Sequence, residues 1–352
     1  MELYILDQNL DIQGIISNFV SLEWQRKLAE PGQFQVLFDY SDDVAEIVQL
    51  GALIYNTDED EPGIITRLSK EIDAKGNEVI NAKGYMAGRY LYQRIINTRE
   101  ILSGTPQSII RTLASHHAIS PSASARAIPK LYLGIDTSAV TEVVAYQAEY
   151  TNLAKTIGDI ASAYEMGWKI RLDIAEKKMY LDTWTGTDRT IDSETPCLFS
   201  TDFGTVLTQR YYRDVSNYAT YCICATGKDD DKIVQDVGGG SGLDRYEIFA
   251  TASGVNKKDQ TVSQIKAQLS VSGKEKLAKY PGTEGFESKV DFTNAGIFSL
   301  GDYVTCENKK WGVRKDMQIK TIRRNIRSGK DETIVTFGDE VQTLTSLIKA
   351  KE

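Results

Sequence analysis

Four cysteines, two histidines and several runs of carboxylates are the residues of this chain whose types could support chemistry. Cys222 and Cys224 sit in YATYCICA, an apolar and aromatic run over 218–225 that reads as a strand. Alternate strand residues share a face, so both thiols point the same way. A metal centre needs more ligands at suitable spacing, and His116 and His117 supply no convincing set. The expectation is buried free thiols acting as small hydrophobes, in a reducing assembly environment. Neighbours on a helix point about 100° apart, so His116 and His117 do not easily share a metal. One faces the core and the other water, at a helix end where positive charge suits the dipole. No Gly-x-Ser-x-Gly elbow or other nucleophile signature accompanies them.

Carboxylates cluster at Asp58-Glu59-Asp60-Glu61 and at Asp229-Asp230-Asp231. Glycoside hydrolysis needs two carboxylates placed across a cleft. Acid runs in loops are ordinarily solvated surface, so no catalytic pair is named. The second run lacks the alternating spacing of a Ca²⁺ loop. The run Gly238-Gly239-Gly240-Ser241-Gly242 lacks the Gly-Lys-Ser/Thr ending of a phosphate cradle, and no helix opens directly from it. It reads as the tip of a long flexible excursion from Lys228 to Asp244, and Gly238, Gly239, Gly240 and Gly242 form a candidate loop that orders on a partner. Trp184 in WTGTDR offers a platform for a sugar, against the plainer expectation that it packs on the helix read over 152–166. Trp24 and Trp311 carry the same caution. The expectation is no enzyme, no cofactor and no metal.

The elements that hold these residues are mostly strands. Leu3–Leu6 and Ile12–Ile16 flank a hairpin turn. NFVSLEWQRKL and FQVLFDY, over 18–28 and 34–40, flank Pro31-Gly32, a strong turn dipeptide because Pro presets φ and Gly accepts φ > 0. Residues 42–50 read as one or two helical turns. Thr105 is a candidate N-cap with Pro106 at the first helical position, and Asn152 caps a second helix with one apolar stripe. A third helix is expected from Thr261, and a short one over 341–349.

Two stretches read as one unit written twice. Leu50-Gly51-Ala52 leads into ITRLSKEIDAKGNEVINAKG, and Leu300-Gly301-Asp302 leads into IKTIRRNIRSGKDETIVTFG. The windows align without a gap, setting Ile65, Ile72, Glu78, Ile80 and Gly84 against Ile319, Ile326, Glu332, Ile334 and Gly338. Each is a strand opened by Leu-Gly, then a hairpin with a Gly-bearing turn, over 73–77 and 328–331. The fold class expected is α+β, with two tube-like β-barrel or sandwich domains and an α/β insert between them. The domains are 1–96, a first tube-like β domain; 97–195, the insert; 196–340, a second tube-like β domain with a flanking helix; and 341–352, a tail. Trp24, Pro31, Gly32, Phe34, Leu50, Gly51, Gly84, Leu300, Gly301, Asp302 and Gly338 are the candidate structural and interface residues.

The 352 residues suffice for two or three domains, each with its own core. Forty-one basic against 49 acidic residues give a formal net charge of −8, which disfavours a protein that grips nucleic acid by neutralising phosphates. It does not disfavour a conduit past which DNA moves. No apolar run approaches the about 20 residues of a membrane span. The N-terminus carries no basic segment or cleavage pattern, so no secretory signal is expected.

The opening LYILDQNLDIQGIISNFVSLEWQRKLAEPGQFQVLF, the segment NLAKTIGDIASAYEMGWKI, the WTGTDRT turn and the terminal LGDYVT and TFGD together resemble the Gp37-like tail family, the tail-hub proteins of siphophages and prophages. The resemblance covers nearly the whole chain and rests on weak motifs in order. It implies a structural baseplate or tail-tip hub, a homotrimer in which two tube-like domains per chain make a pseudo-sixfold ring. That ring would let threefold and sixfold symmetry meet at one interface. The implied partners are tail-tube and distal-tail proteins and tip, fibre or receptor-binding proteins, with DNA passing through unbound and no membrane span. The implied location is the virion tail tip, after assembly in the host bacterial cytoplasm. The alternative is a host-surface carbohydrate-binding tail protein, and behind it a cell-wall-degrading enzyme.

Overall fold

Strand alternation and one repeated hairpin organise the computed structural model, which describes residues 1–72, 76–227, 231–252, 255, 257, 260–290, 297–327 and 329–338. The first β unit runs β1 (Leu3–Leu6), β2 (Ile12–Ile16), β3 (Ser21–Lys27), β4 (Gln33–Asp39), a short helix α1 (Asp42–Ile47), β5 (Leu53–Asn56), β6 (Gly63–Ile72) and β7 (Glu78–Met86). Phe34, Val36 and Phe38 of β4 point into a core with Trp24, Ile54, Ile65 and Ile80, while the alternate residues face outward. Ser41 caps α1 by accepting from the Val44 amide at 3.2 Å.

The insert follows as β8 (Glu100–Gly104), α2 (Pro106–Ala114), β9 (Leu131–Thr137), β10 (Val144–Ala148), α3 (Leu153–Ala163), β11 (Met166–Asp173) and β12 (Lys178–Thr185). Ile109, Ile110 and Leu113 of α2 and Leu153, Ile157 and Ile160 of α3 are buried against β11 and β12. Asn152 accepts from the Lys155 amide, as its type predicts. Thr105 holds the cap position of α2 but makes no side-chain cap bond.

The second β unit has β13 (Asp188–Arg189), β14 (Leu198–Ser200), β15 (Val206–Tyr218), β19 (Pro281–Val290), β20 (Tyr303–Asn308), β21 (Val313–Arg327) and β22 (Lys330–Gly338). Between β15 and β19 lie β16 (Tyr221–Thr226), β17 (Ile233–Gly238), β18 (Glu247–Thr251) and α4 (Val262–Leu277), whose Ile265 and Leu269 pack on Cys222 and Cys224. The 228–244 excursion is therefore not wholly a flexible loop: β17 pairs along the full length of β16. Its alternation of half-buried and exposed residues is the strand signal that the glycines masked. Asp229, Asp230 and the helix expected over 341–349 lie outside the described residues, as do 73–75 and 328 in the two hairpin turns.

Among the described residues, fourteen strands form one sheet. Within it the order β3-β4-β7-β6-β5 is repeated as β15-β19-β22-β21-β20, and every neighbouring pair is antiparallel in both copies. Both hairpins carry a bulge at the same place, between Ile65 and Arg67 and between Ile319 and Thr321. The repeat is thus a property of five strands each, wider than the hairpin read in the sequence.

The gapless alignment holds on the opening strand and fails by one residue on the closing strand. Ile65 pairs with Gly84, but Ile319 pairs with Phe337, not Gly338; Ile72 pairs with Glu78, but Ile326 pairs with Asp331, not Glu332. The second turn is one residue shorter in its pairing, so Ile80 corresponds to Thr333 and both are buried. A one-residue slip flips a strand's faces, and burial rather than residue identity fixes the register. The units are joined directly: Thr321–Arg327 of β21 pairs antiparallel with Ser21–Lys27 of β3.

Candidate functional site

Two glycines open the equivalent strands with the same backbone geometry. The Gly51 amide donates to Ile65 O and the Ile65 amide to Ala52 O; the Gly301 amide donates to Ile319 O and the Ile319 amide to Asp302 O, all at 2.8 to 2.9 Å. Gly51 has φ +82° and Gly301 φ +97°, the region that favours glycine. Leu300 is buried, whereas Leu50 is 63% exposed. The two candidate leucines therefore do not share an environment.

Phe34 explains the remaining candidates of the first unit. Its ring stacks 5.4 Å from the buried Trp24 ring and covers Gly84 and Gly63, where an added Cβ would come within 3 Å of it. Gly32 lets the β3–β4 turn close, since a Cβ there would lie 1.9 Å from Gln25 O. Pro31 packs beside Gly88. The second unit repeats the ring pair as Tyr211 and Phe286, 5.0 Å apart. Gly338, at φ +72°, ends β22 against Glu284.

The acidic loop between β5 and β6 is a clasp where the two β units and the insert meet. Asp58 pairs with Arg324 of β21 at 2.6 Å, Glu59 with Arg26 of β3 at 2.8 Å, and Asp60 with Lys169 of β11 at 2.5 Å. Glu61 is buried, and burial raises its carboxyl to about 8, against the opposing pull of Lys169 and Arg26. The run that composition assigns to solvated surface is thus engaged residue by residue. No local signal in the sequence marks it, because its partner cations Arg26, Lys169 and Arg324 each lie on a different strand.

Asp302 does similar work for the second unit. It is buried and accepts from the Thr187 amide at 2.9 Å, the Ser299 amide at 2.8 Å and Arg189 Nε at 2.8 Å. Trp184 lies over Gly167 and Gly301, and its indole nitrogen donates to Leu300 O at 2.9 Å. Trp184 therefore packs on β11 and on the second unit, correcting the expected contact with the helix over 152–166. Gly186 meets Gly301 backbone to backbone; a Cβ there would fall 1.7 Å from Gly301 O. A cavity of about 400 Å³ lies at this junction, lined among others by Asp60, Glu61, Arg171, Asp182 and Trp184.

The other residues with chemical potential are placed elsewhere. His117 is buried and His116 half-exposed, and both reach one Glu100 oxygen, at 3.0 and 3.1 Å. Burial depresses the His117 imidazole despite Glu100. None of the four buried cysteines forms a disulfide, and burial raises Cys197 and Cys224 to about 11. Gly238 and Gly240 adopt φ near +100° at the β17 end, and Gly239 donates to Thr220 O. Gly242, at φ +55°, opens a short 3₁₀ turn. The histidine pair and the Gly238–Gly242 turn do not line the junction cavity, whereas the Cys197 amide donates to the backbone oxygen of Arg189 beside it. Among the described residues no helix is long and apolar enough to cross a membrane.

A family model described as Siphovirus ReqiPepy6 Gp37-like protein matches residues 2–339. No curated protein matches the sequence. Among solved structures the chain is similar to the tail protein from Neisseria meningitidis MC58, at 12% identity and TM-score 0.62, covering 96% of each chain. It is similar to the prophage MuSo2 43 kDa tail protein from Shewanella oneidensis, at 11% identity and TM-score 0.60, over 96% of this chain and 98% of that one. It is also similar to the prophage tail protein gp18 from Listeria monocytogenes EGD-e, at 12% identity and TM-score 0.58, over 100% and 99%. At such identities the likeness speaks to fold, and the α+β class is common to all.

Proposed function

The chain belongs to the Siphovirus ReqiPepy6 Gp37-like protein family, and from that premise we propose that it is a structural tail protein, the hub of a phage tail or a tail-derived particle. Three chains form a ring at the tail tip. The ring joins the tail tube above to tip, fibre or receptor-binding proteins below and surrounds the DNA path. Residues 1–96 and 196–340 act as two tube-like domains per chain, and 97–195 is the insert between them.

One observation carries this reading: the five-strand order is written twice in one continuous sheet. Two quasi-equivalent units per chain give six per trimer, which is what a threefold component needs to meet a sixfold tube. The formal charge of −8 suits a conduit that does not hold DNA. The carbohydrate reading has less support, because the Trp184 indole is engaged by Leu300, Gly167 and Gly301. Light scattering of the purified chain, alone and with the tail-tube protein of the same particle, tests the hub. A trimer, or one formed on the tube partner, is expected. A chain that stays monomeric at high concentration and binds no tube or distal-tail subunit overturns it.

A further inference from the structure

We propose that neighbouring protomers join by an antiparallel strand pair between β6 of one copy and β15 of the next, in the register of the joint already present inside the chain. This rests on the ring reading above and specifies its seam.

The internal joint shows which two edges fit each other. β21 has β22 on one side, and its second half gives its other side to β3. By the repeated strand order, β6 is the counterpart of β21 and β15 the counterpart of β3. Residues 67–72 of β6 have β7 on one side and, among the described residues, no strand on the other. Among the described residues β15 likewise pairs with β19 alone. Each copy therefore shows one edge of each kind that is met inside the chain. Ile72, in β6, is 70% exposed, whereas its counterpart Ile326 packs partly into the first-unit core. An edge strand of this kind is a template for another chain.

Register carries over through the pairings. The shared bulges align Arg67 with Thr321 and hence Glu71 with Asn325. Trp24 reaches Gly84 through Phe34, and Tyr211 reaches Phe337 through Phe286, which aligns Tyr211 with Trp24. Inside the chain Thr321 faces Lys27 and Asn325 faces Glu23. At the seam this sets Arg67 opposite the partner's Asp214, and Glu71 opposite the partner's Arg210. Both are directly opposed pairs of opposite charge, and all four side chains are exposed in the single chain. Such pairs stabilise a strand junction, and like charges in the same places would oppose it. The contact is head to tail, so it propagates from copy to copy, and the ring reading above requires its rotation to close after three copies.

The full-length double variant Glu71→Cys, Arg210→Cys tests the seam by mild oxidation and by a short bismaleimide. Covalent dimers and trimers are expected on non-reducing gels. Little linkage is expected from wild type, whose thiols are buried, or from Glu71→Cys with Thr208→Cys, which lies two residues out of register. Arg67→Asp is expected to weaken trimer association tenfold or more, and the added Asp214→Arg to restore it. A trimer that neither links in this register nor responds to the charge exchange overturns the seam while leaving the hub reading intact. A chain that stays monomeric with and without its tube partner overturns both.

Discussion

Arg324 donates to Asp58 at 2.6 Å across the boundary between the β units, although 266 positions separate them in sequence. The same guanidinium holds Asp331 at 2.6 and 3.0 Å, so one side chain ties the acidic clasp to the closing hairpin. With Arg324 only 23% exposed, the contact is partly shielded from solvent. Arg324→Ala is expected to lower stability by about 1–2 kcal/mol in urea titrations followed by circular dichroism. Lys is expected to recover little, since an ammonium cannot make both fork contacts. A midpoint equal to that of wild type would mean that the clasp is not a stabilising element.

Gly51 and Gly301 offer a graded test of the internal repeat. Both need positive φ, so Ala at either site is strained by about 1 kcal/mol. At Gly51 the new methyl meets only the end of Gln8, at 3.1 Å; at Gly301 it meets Leu28 and the Trp184 indole, each at 3.0 Å. Gly301→Ala should therefore cost more, about 2–3 kcal/mol with the added crowding. Thermal unfolding of the two variants compares them directly, and a reversed order would contradict the packing described at the junction.

Much of this fold was legible because β strands alternate and hairpin turns have residue preferences. Phe34, Val36 and Phe38 declared their strand, and Pro31-Gly32 its turn. The duplicated Leu-Gly openings were visible because positive φ at Gly51 and Gly301 restricts the residue allowed there. The register of the closing strand was not legible, since Ile80 and Ile334 look alike while only burial distinguishes their faces. The clasp was hidden for a different reason. Asp58 and Arg324 are partners only through the β3–β21 joint, and nothing local encodes a contact between residues so distant in sequence.

Trp184 separates the structural reading from the sugar-binding one. Trp184→Phe keeps a ring over Gly167 and Gly301 but removes the bond to Leu300 O. A loss of about 1 kcal/mol is expected, with faster amide exchange confined to the loop before β20. Trp184→Ala should cost about 3 kcal/mol, because a large packed side chain is lost as well. Retention of either folded variant on host cell walls should match wild type. A selective loss of wall binding with unchanged stability would favour the carbohydrate alternative.

Glu61 and Glu275 give the protein a falling stability above neutrality. Burial lifts both carboxyls from 4.5 to about 8, so the folded chain keeps two protons that the unfolded chain has released. Where the folded state binds more protons, stability decreases as pH rises. His117 works in the opposite direction, because burial lowers its pKa from 6.5, but that contribution is complete by about pH 7. The raised cysteines act only above their unperturbed value of 9.0. Between pH 7 and 8, then, each glutamate should remove up to about 1 kcal/mol per pH unit. Urea midpoints of wild type should fall across that interval, and those of Glu61→Gln with Glu275→Gln should stay nearly level. Equal slopes in the two proteins would mean that neither carboxyl is held protonated in the folded chain. Because Glu61 sits in the clasp between the units, that outcome would make it a charged member of the clasp beside the Asp58–Arg324 and Glu59–Arg26 pairs.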